Sequence, residues 1–177
     1  METMKRDEKL LFADEVAYDR GESKKPWKLL IVDDAEEVHV ITRMVLHNFT
    51  FAGQGLMLLS AFSSAETRKL LQEHPDMAIV LLDVVMEEET TGLTIVKYIR
   101  EELNNKFVRI ILRTGQPGQA PERQVTMDYD INDYKEKTEL TALKLFPAII
   151  GSLRAYRDLR TIEQGRKGLE QIATASA

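Results

Sequence analysis

The sequence predicts an α/β domain built on a doubly wound, five-stranded parallel sheet, with an extended helix at its carboxyl end. Three observations predict it. Short apolar runs alternate with segments whose apolar residues recur at helical spacing, the pattern of strands joined by crossover helices. Runs such as Ile79-Val80-Leu81-Leu82 are apolar throughout rather than alternating, as strands buried on both faces are. At 177 residues, 44% hydrophobic and 30% charged, the chain has length for one domain of about 120 to 150 residues plus appendages.

Residues 1–26 mix charges with one apolar cluster, Leu10-Leu11-Phe12, and end in the turn-rich GESKKP; they read as an extension or linker before a domain at 27–155. KLLIV is the first strand, and Val38, Ile41, Val45 and Leu46 give a helix over about 35–47 one apolar face. MLLSAF is the second strand. Ser63 and Glu66 have capping-box spacing and open the second helix. MAIVLL is the third strand, and a third helix after Gly92 carries Ile95, Val96 and Ile99. VRIILR is the fourth strand; a short helix near 120–128 and a fifth strand near 129–134 complete the sheet. From Thr138 a last helix places Leu145, Ile149, Leu153 and Tyr156 on one stripe. Leu159, Ile162, Leu169 and Ile172 carry its apolar character on through a helical linker at 156–177. A helix of that length outruns the domain, so it must project, fray, or pair with another chain as a coiled coil.

Composition excludes several functions. A formal net charge of −5 leaves no basic footprint for nucleic acid. The absence of cysteine excludes disulfides, thiolate metal sites and thiol catalysis. No stretch approaches the length of a membrane span, and the first residues lack the apolar core of a signal peptide, so a cytoplasmic location without membrane contact is expected. His39, His47 and His74 lack metal-ligand spacing and read as surface or partly packed side chains.

In open parallel sheets functional groups collect beyond the carboxyl ends of the strands. The first apolar run ends in Asp33-Asp34, the third in Asp83, the fourth in Arg113-Thr114, and Lys137 follows the fifth. Three carboxylates converging without a cation would repel one another, so the arrangement suits a hard divalent ion, Mg2+ above all. A carboxylate at Asp83 can attack phosphorus and form an acyl phosphate, with Lys137 and Thr114 available to the phosphoryl oxygens. Each residue also has a plainer reading: Asp34, three residues before Glu37, is a good helix N-cap, and Lys137 lies in a solvated KEK run.

The motifs LLIVDD (29–34), LLDVVM (81–86), Gly92-Leu93, ILRTG (111–115) and DYKEK (133–137) resemble those of response-regulator receiver domains of two-component signalling. Asp34, Asp83, Thr114 and Lys137 follow one another at intervals of 49, 31 and 23 residues, which fits that family. The resemblance implies a flavodoxin-like fold with Asp83 as the phosphorylated aspartate and catalytic roles for Thr114 and Lys137. Asp34 becomes a direct Mg2+ ligand, Asp33 a ligand through water, Val85 the carbonyl donor, and Thr114 with Tyr134 the switch pair. It implies a histidine kinase or phosphotransfer protein as phosphodonor, a domain that signals rather than an enzyme, and an output domain further along a longer chain. The ILRTGQPGQAPE segment is similar to that of regulators whose output is an HD-GYP-type phosphodiesterase. Glu87 and Thr138 stand where receivers often have proline. Two other readings are a small Mg2+-dependent phosphohydrolase and a non-phosphorylated dimerisation module. The common Asp-x-Asp pattern of the first is missing, since Val85 stands two residues after Asp83.

Overall fold

A computed structural model describes residues 25–86, 88, 90–114, 130–136 and 142–175. Its elements are β1 (Trp27–Val32), α1 (Glu36–Leu46), β2 (Thr50–Phe51), β3 (Gln54–Ala61), α2 (Ser64–Glu73), β4 (Ile79–Asp83) and α3 (Thr91–Lys97). A π-helical turn at Tyr98–Glu102 extends α3, and β5 (Arg109–Thr114), β6 (Asp133–Glu136) and α4 (Ala142–Ala175) follow. The sheet order is β2-β3-β1-β4-β5-β6. Every pairing from β3 to β6 is parallel, so the expected five-stranded doubly wound sheet is present. The extra strand, β2, is a two-residue antiparallel addition at the edge. Ala52 and Gly53 both have positive φ, 52° and 74°, as a tight mirror-image hairpin turn requires. This hairpin accounts for the long connection between α1 and the strand that follows it, and it starts that strand at Gln54, ahead of MLLSAF.

The continuous apolar runs are explained by burial on both faces. Leu30, Val32, Val80, Leu82, Ile110 and Leu112 pack with Leu71 of α2 and Ile95 and Val96 of α3. The intervening Leu29, Ile31, Ile79, Leu81 and Ile111 pack with Leu46 of α1 and with Leu145, Ile149 and Leu153 of α4. The cap on the Ser63 side is formed, with Ser63 Oγ accepting from Glu66 N at 3.2 Å, while the Glu66 carboxylate reaches one residue further back and accepts from Phe62 N at 2.8 Å.

The fifth parallel strand is displaced from the expected 129–134. Asp130 has φ 48°, accepts Arg109 Nη1 on its carboxylate at 2.9 Å, and accepts Arg100 Nη2 on its carbonyl at 3.2 Å. That anchored turn postpones the strand to Asp133, after Asn132 has accepted Ile110 N on its side chain at 2.8 Å. The expected helix near 120–128 and the extension before Lys25 lie outside the described residues.

Helix α4 packs its first half and projects its second. Leu145, Ile149, Leu153 and Tyr156 are buried, and Tyr156 meets Trp27 edge-on at 6.2 Å while its hydroxyl donates to the carbonyl of Asp76 at 3.2 Å. Beyond it Ile162, Leu169 and Ile172 are each about two-thirds exposed or more, at 68%, 71% and 66%. Thirty-four residues make a rod of roughly 51 Å at 1.5 Å per residue. Among the described residues no helix is long and apolar enough to cross a membrane.

Candidate functional site

Parallel pairing of β1 with β4 sets Val32 beside Leu82. The residues that end these two strands therefore emerge side by side at the carboxyl edge of the sheet. Asp33 and Asp83 are buried there and Asp34 is exposed, and one carboxylate oxygen from each lies within 4.8 Å of the others. The structure thus brings together the three acids that the sequence singled out. Asp34 does not act as the helix cap: the N-cap residue of α1 is Ala35, without a side-chain cap bond, and Asp33 Oδ1 instead accepts from Ala35 N at 3.0 Å. With its carboxylate outside the helix start, Asp34 is available to the cluster.

Two buried polar side chains brace this edge. His39, on the inner face of α1, has Nε2 at 2.8 Å from the carbonyl oxygen of Asp33 and Nδ1 at 2.9 Å from Ser60 Oγ. A carbonyl can only accept, so Nε2 carries the proton and donates. The ring also lies 4.1 Å from that of Phe62. The expectation of a surface or partly packed histidine is therefore corrected for His39, which is buried because it serves the backbone of the acidic turn; His47 is exposed.

Arg113 is the second. It pairs with Asp83 in the β4–β5 register, and its carbonyl accepts from Val84 N at 2.9 Å, so its backbone shapes the start of the loop after Asp83. The side chain is 1% exposed, with Nη2 at 3.6 Å from Asp33 Oδ2 and Nη1 donating to Thr42 Oγ1 at 3.3 Å. Burial pulls its pKa below the ordinary arginine value, and the charges of Asp33 and Asp83 oppose that pull. Sequence reasoning gave Arg113 no role, although an arginine closing the apolar run VRIIL raises the same question as the aspartate closing IVLL.

Gly92 is placed by close approach. Its N donates to the carbonyl of Val84 at 3.0 Å, so the first turn of α3 closes against the end of β4. Val85, half-buried, occupies the loop between them. Thr114 ends β5 opposite Glu136, and Tyr134 lies on β6 opposite Leu112. Lys137 is outside the described residues.

Strand order and acidic edge together define the class: the chain has the fold of response-regulator receiver domains. Solved structures sharing it include the signal receiver domain of an HD domain-containing protein from Pseudomonas fluorescens Pf-5. That likeness has a TM-score of 0.63 at 18% identity and covers 77% of this chain and 93% of that one. Another is the CheX-CheY-BeF3-Mg+2 complex from Borrelia burgdorferi, with a TM-score of 0.57 at 20% identity, covering 71% of this chain and 88% of that one. In sequence the chain is 53% identical over 155 residues to the 3'3'-cGAMP-specific phosphodiesterase 2 of Vibrio cholerae serotype O1 (strain ATCC 39315 / El Tor Inaba N16961). The match takes in 88% of this chain but spans only 30% of the length of that relative. A family model described as a domain of unknown function (DUF3369) matches residues 149–177. The expected resemblance to receiver domains is borne out.

Proposed function

We propose that this chain is a phosphoacceptor receiver in which Asp83 takes a phosphoryl group from a histidine kinase or phosphotransfer protein. The observation that carries the reading is the convergence of Asp33, Asp34 and Asp83 at the ends of adjacent strands, two of them buried. Buried carboxylates in such proximity repel unless a cation joins them, and an oxygen-only donor set fits a hard divalent ion such as Mg2+. Asp33, Asp34 and Asp83 would hold it together with the backbone carbonyl of Val85. When bound, it supplies positive charge that offsets the carboxylates and the phosphoryl oxygens.

One carboxylate oxygen of Asp83 attacks phosphorus. The new O–P bond forms as the bond from phosphorus to the donor's imidazole nitrogen breaks, and the electron pair leaves with that nitrogen. Gly92 keeps α3 close to the strand end, so Asp83 is presented from a fixed backbone. The Thr114 hydroxyl and the Lys137 ammonium are assigned to the phosphoryl oxygens, and Thr114 with Tyr134 to the switch that follows. The domain then signals rather than turning over a substrate. We place the domain at 27–155, with the helical linker at 156–177 leading to an output domain or to a second copy of the chain. The name of the Vibrio cholerae relative suggests a cyclic-dinucleotide phosphodiesterase as that output. A cytoplasmic setting is the one in which such a partner kinase and output would meet.

Intact-mass spectrometry after incubation with acetyl phosphate and Mg2+ tests this reading. A single phosphoryl adduct is expected on the wild type and none on Asp83→Asn. No adduct on the wild type from acetyl phosphate or from a phosphorylated donor protein would remove the phosphoacceptor assignment and favour a non-phosphorylated module. Light scattering on the same samples tests whether the exposed half of α4 joins two copies of the chain.

A further inference from the structure

We propose that Arg113 is a resident counter-cation of the Asp33–Asp34–Asp83 cluster and that a divalent ion enters this site in competition with it. The inference rests on the reading of the trio as a divalent-cation site.

A guanidinium buried for structural reasons ordinarily forms short, bidentate bonds at about 2.7 to 2.9 Å to a carboxylate. Arg113 does not. It is 1% exposed, yet its approach to Asp33 is 3.6 Å, beyond hydrogen-bond range, and its Nη1 contact to Thr42 is long at 3.3 Å. Nε and Nη2 make no hydrogen bond among the described residues. A cation kept from water and bonded closely to none of its acids offsets the charge of several of them. Asp33 lies at ion-pair distance, and Asp83, its neighbour in the β4–β5 register, adds a second negative charge that favours the guanidinium in its charged form. In such a low-dielectric edge two positive charges within a few ångströms of shared carboxylates exclude each other strongly. Divalent binding therefore costs the weakening of the Arg113 interaction, and the affinity of the site is lower than three acids alone would give. Thr42, fully buried on α1, supplies an oxygen that keeps Nη1 on the α1 side of the sheet.

The test uses the unphosphorylated protein with MgCl2 alone, read by isothermal titration and by thermal melting, for wild type, Arg113→Met and Arg113→Lys. Arg113→Met should bind Mg2+ at least about tenfold more tightly than wild type, while Arg113→Lys, which keeps the charge, stays close to it. Arg113→Met should also melt lower without Mg2+, because two buried acids lose a counter-charge, and should recover most of that deficit at saturating Mg2+. The recovery is measurable even if the variant is poorly folded without metal. A purely structural arginine would give a deficit that Mg2+ leaves in place. Unchanged or weaker Mg2+ binding in Arg113→Met, with binding in the wild type, overturns the competition and leaves the divalent site standing. Absence of Mg2+ binding in all three proteins overturns the divalent-site reading and this inference with it.

Discussion

A Cβ placed on Gly92 would lie 2.3 Å from the carbonyl oxygen of Asp83 and 2.7 Å from Cα of Val84. Both are backbone atoms, so no side-chain rotation can relieve the overlap. Gly92→Ala should force α3 away from the end of β4, at a cost of about 1 to 3 kcal/mol, as overpacking does. It should also reduce phosphoryl incorporation at Asp83 beyond what lost stability explains, since the backbone that presents the carboxylate moves. Urea unfolding with intact-mass analysis on the same samples separates the two. Stability within 0.3 kcal/mol of wild type, an order-of-magnitude bound on experimental equality, would mean that the close approach is not maintained in solution.

His39 links the acidic turn to β3 through a chain of hydrogen bonds. With Nε2 donating to Asp33, a neutral ring accepts at Nδ1 from the Ser60 hydroxyl, and Ser60 Oγ accepts in turn from Arg43 Nη2 at 2.9 Å. His39→Ala withdraws the donor from a buried carbonyl and opens a space beside Phe62. A loss of about 1 to 3 kcal/mol in urea unfolding is expected from the loss of this buried hydrogen bond. Ser60→Ala should cost less, because it leaves the bond to Asp33 intact. A larger loss for Ser60→Ala would contradict this order.

The acids were legible because each breaks a strong local pattern, whereas the close approach that requires Gly92 is visible only in the fold. Asp33, Asp34 and Asp83 interrupt runs too apolar to hold an unexplained charge, and parallel pairing then fixes where such interruptions meet. Arg113 ends a run flanked by a second arginine, Arg109, and no local pattern tells a buried arginine at a strand end from a solvated one. Only tertiary packing buries both, at 4% and 1% exposure. The hairpin turn was hidden for a different reason: Ala52 shares the positive φ with Gly53, and alanine gives no signal for that conformation. His39 carried no metal spacing because its partner is a backbone carbonyl, which no side-chain motif reports. The delayed start of β6 depends on Arg100 and Arg109 reaching Asp130 across the fold, a long-range anchor that local propensity does not contain.

Lys28 Nζ and Asp76 Oδ1 lie 2.6 Å apart at the amino-terminal edge of the sheet, away from the acidic cluster. Partial burial pushes the Asp76 carboxyl up, but the hydrogen bond and charge of Lys28, together with a backbone hydrogen bond and the nearby His74, outweigh it and leave the pKa below its ordinary value of 3.8. A carboxyl depressed in the folded state adds stability above its unfolded pKa and loses it as pH falls through the folded value. Asp76→Asn should therefore melt below wild type at pH 7, and the gap should close as the buffer is taken below the ordinary carboxyl range. The aspartate side chain is 53% exposed, so screening limits the pair to at most about 1 kcal/mol. A gap that persisted at pH 2.5, roughly the lower end of that titration, would assign the effect to the amide substitution and not to the charge.

Leu153 and Leu169 occupy one continuous helix but should respond to truncation very differently. Leu153 is fully buried against the sheet, and Leu→Ala there should cost about 2 to 5 kcal/mol, the range for a core leucine. Leu169 is 71% exposed, and Leu169→Ala should stay within about 0.5 kcal/mol in the unfolding of the isolated chain at low concentration. If the exposed apolar residues of the distal half pair with a second chain, the same substitution acquires a cost that grows with protein concentration, because association stabilises the folded form by mass action. Unfolding across a hundredfold concentration range, together with Ile162→Glu and Leu169→Glu, reads that cost directly. Concentration-independent curves that coincide for wild type and both glutamate variants would assign the distal half to a solvated connector. Concentration-dependent curves abolished by either glutamate would make α4 the helix through which two receivers face one another.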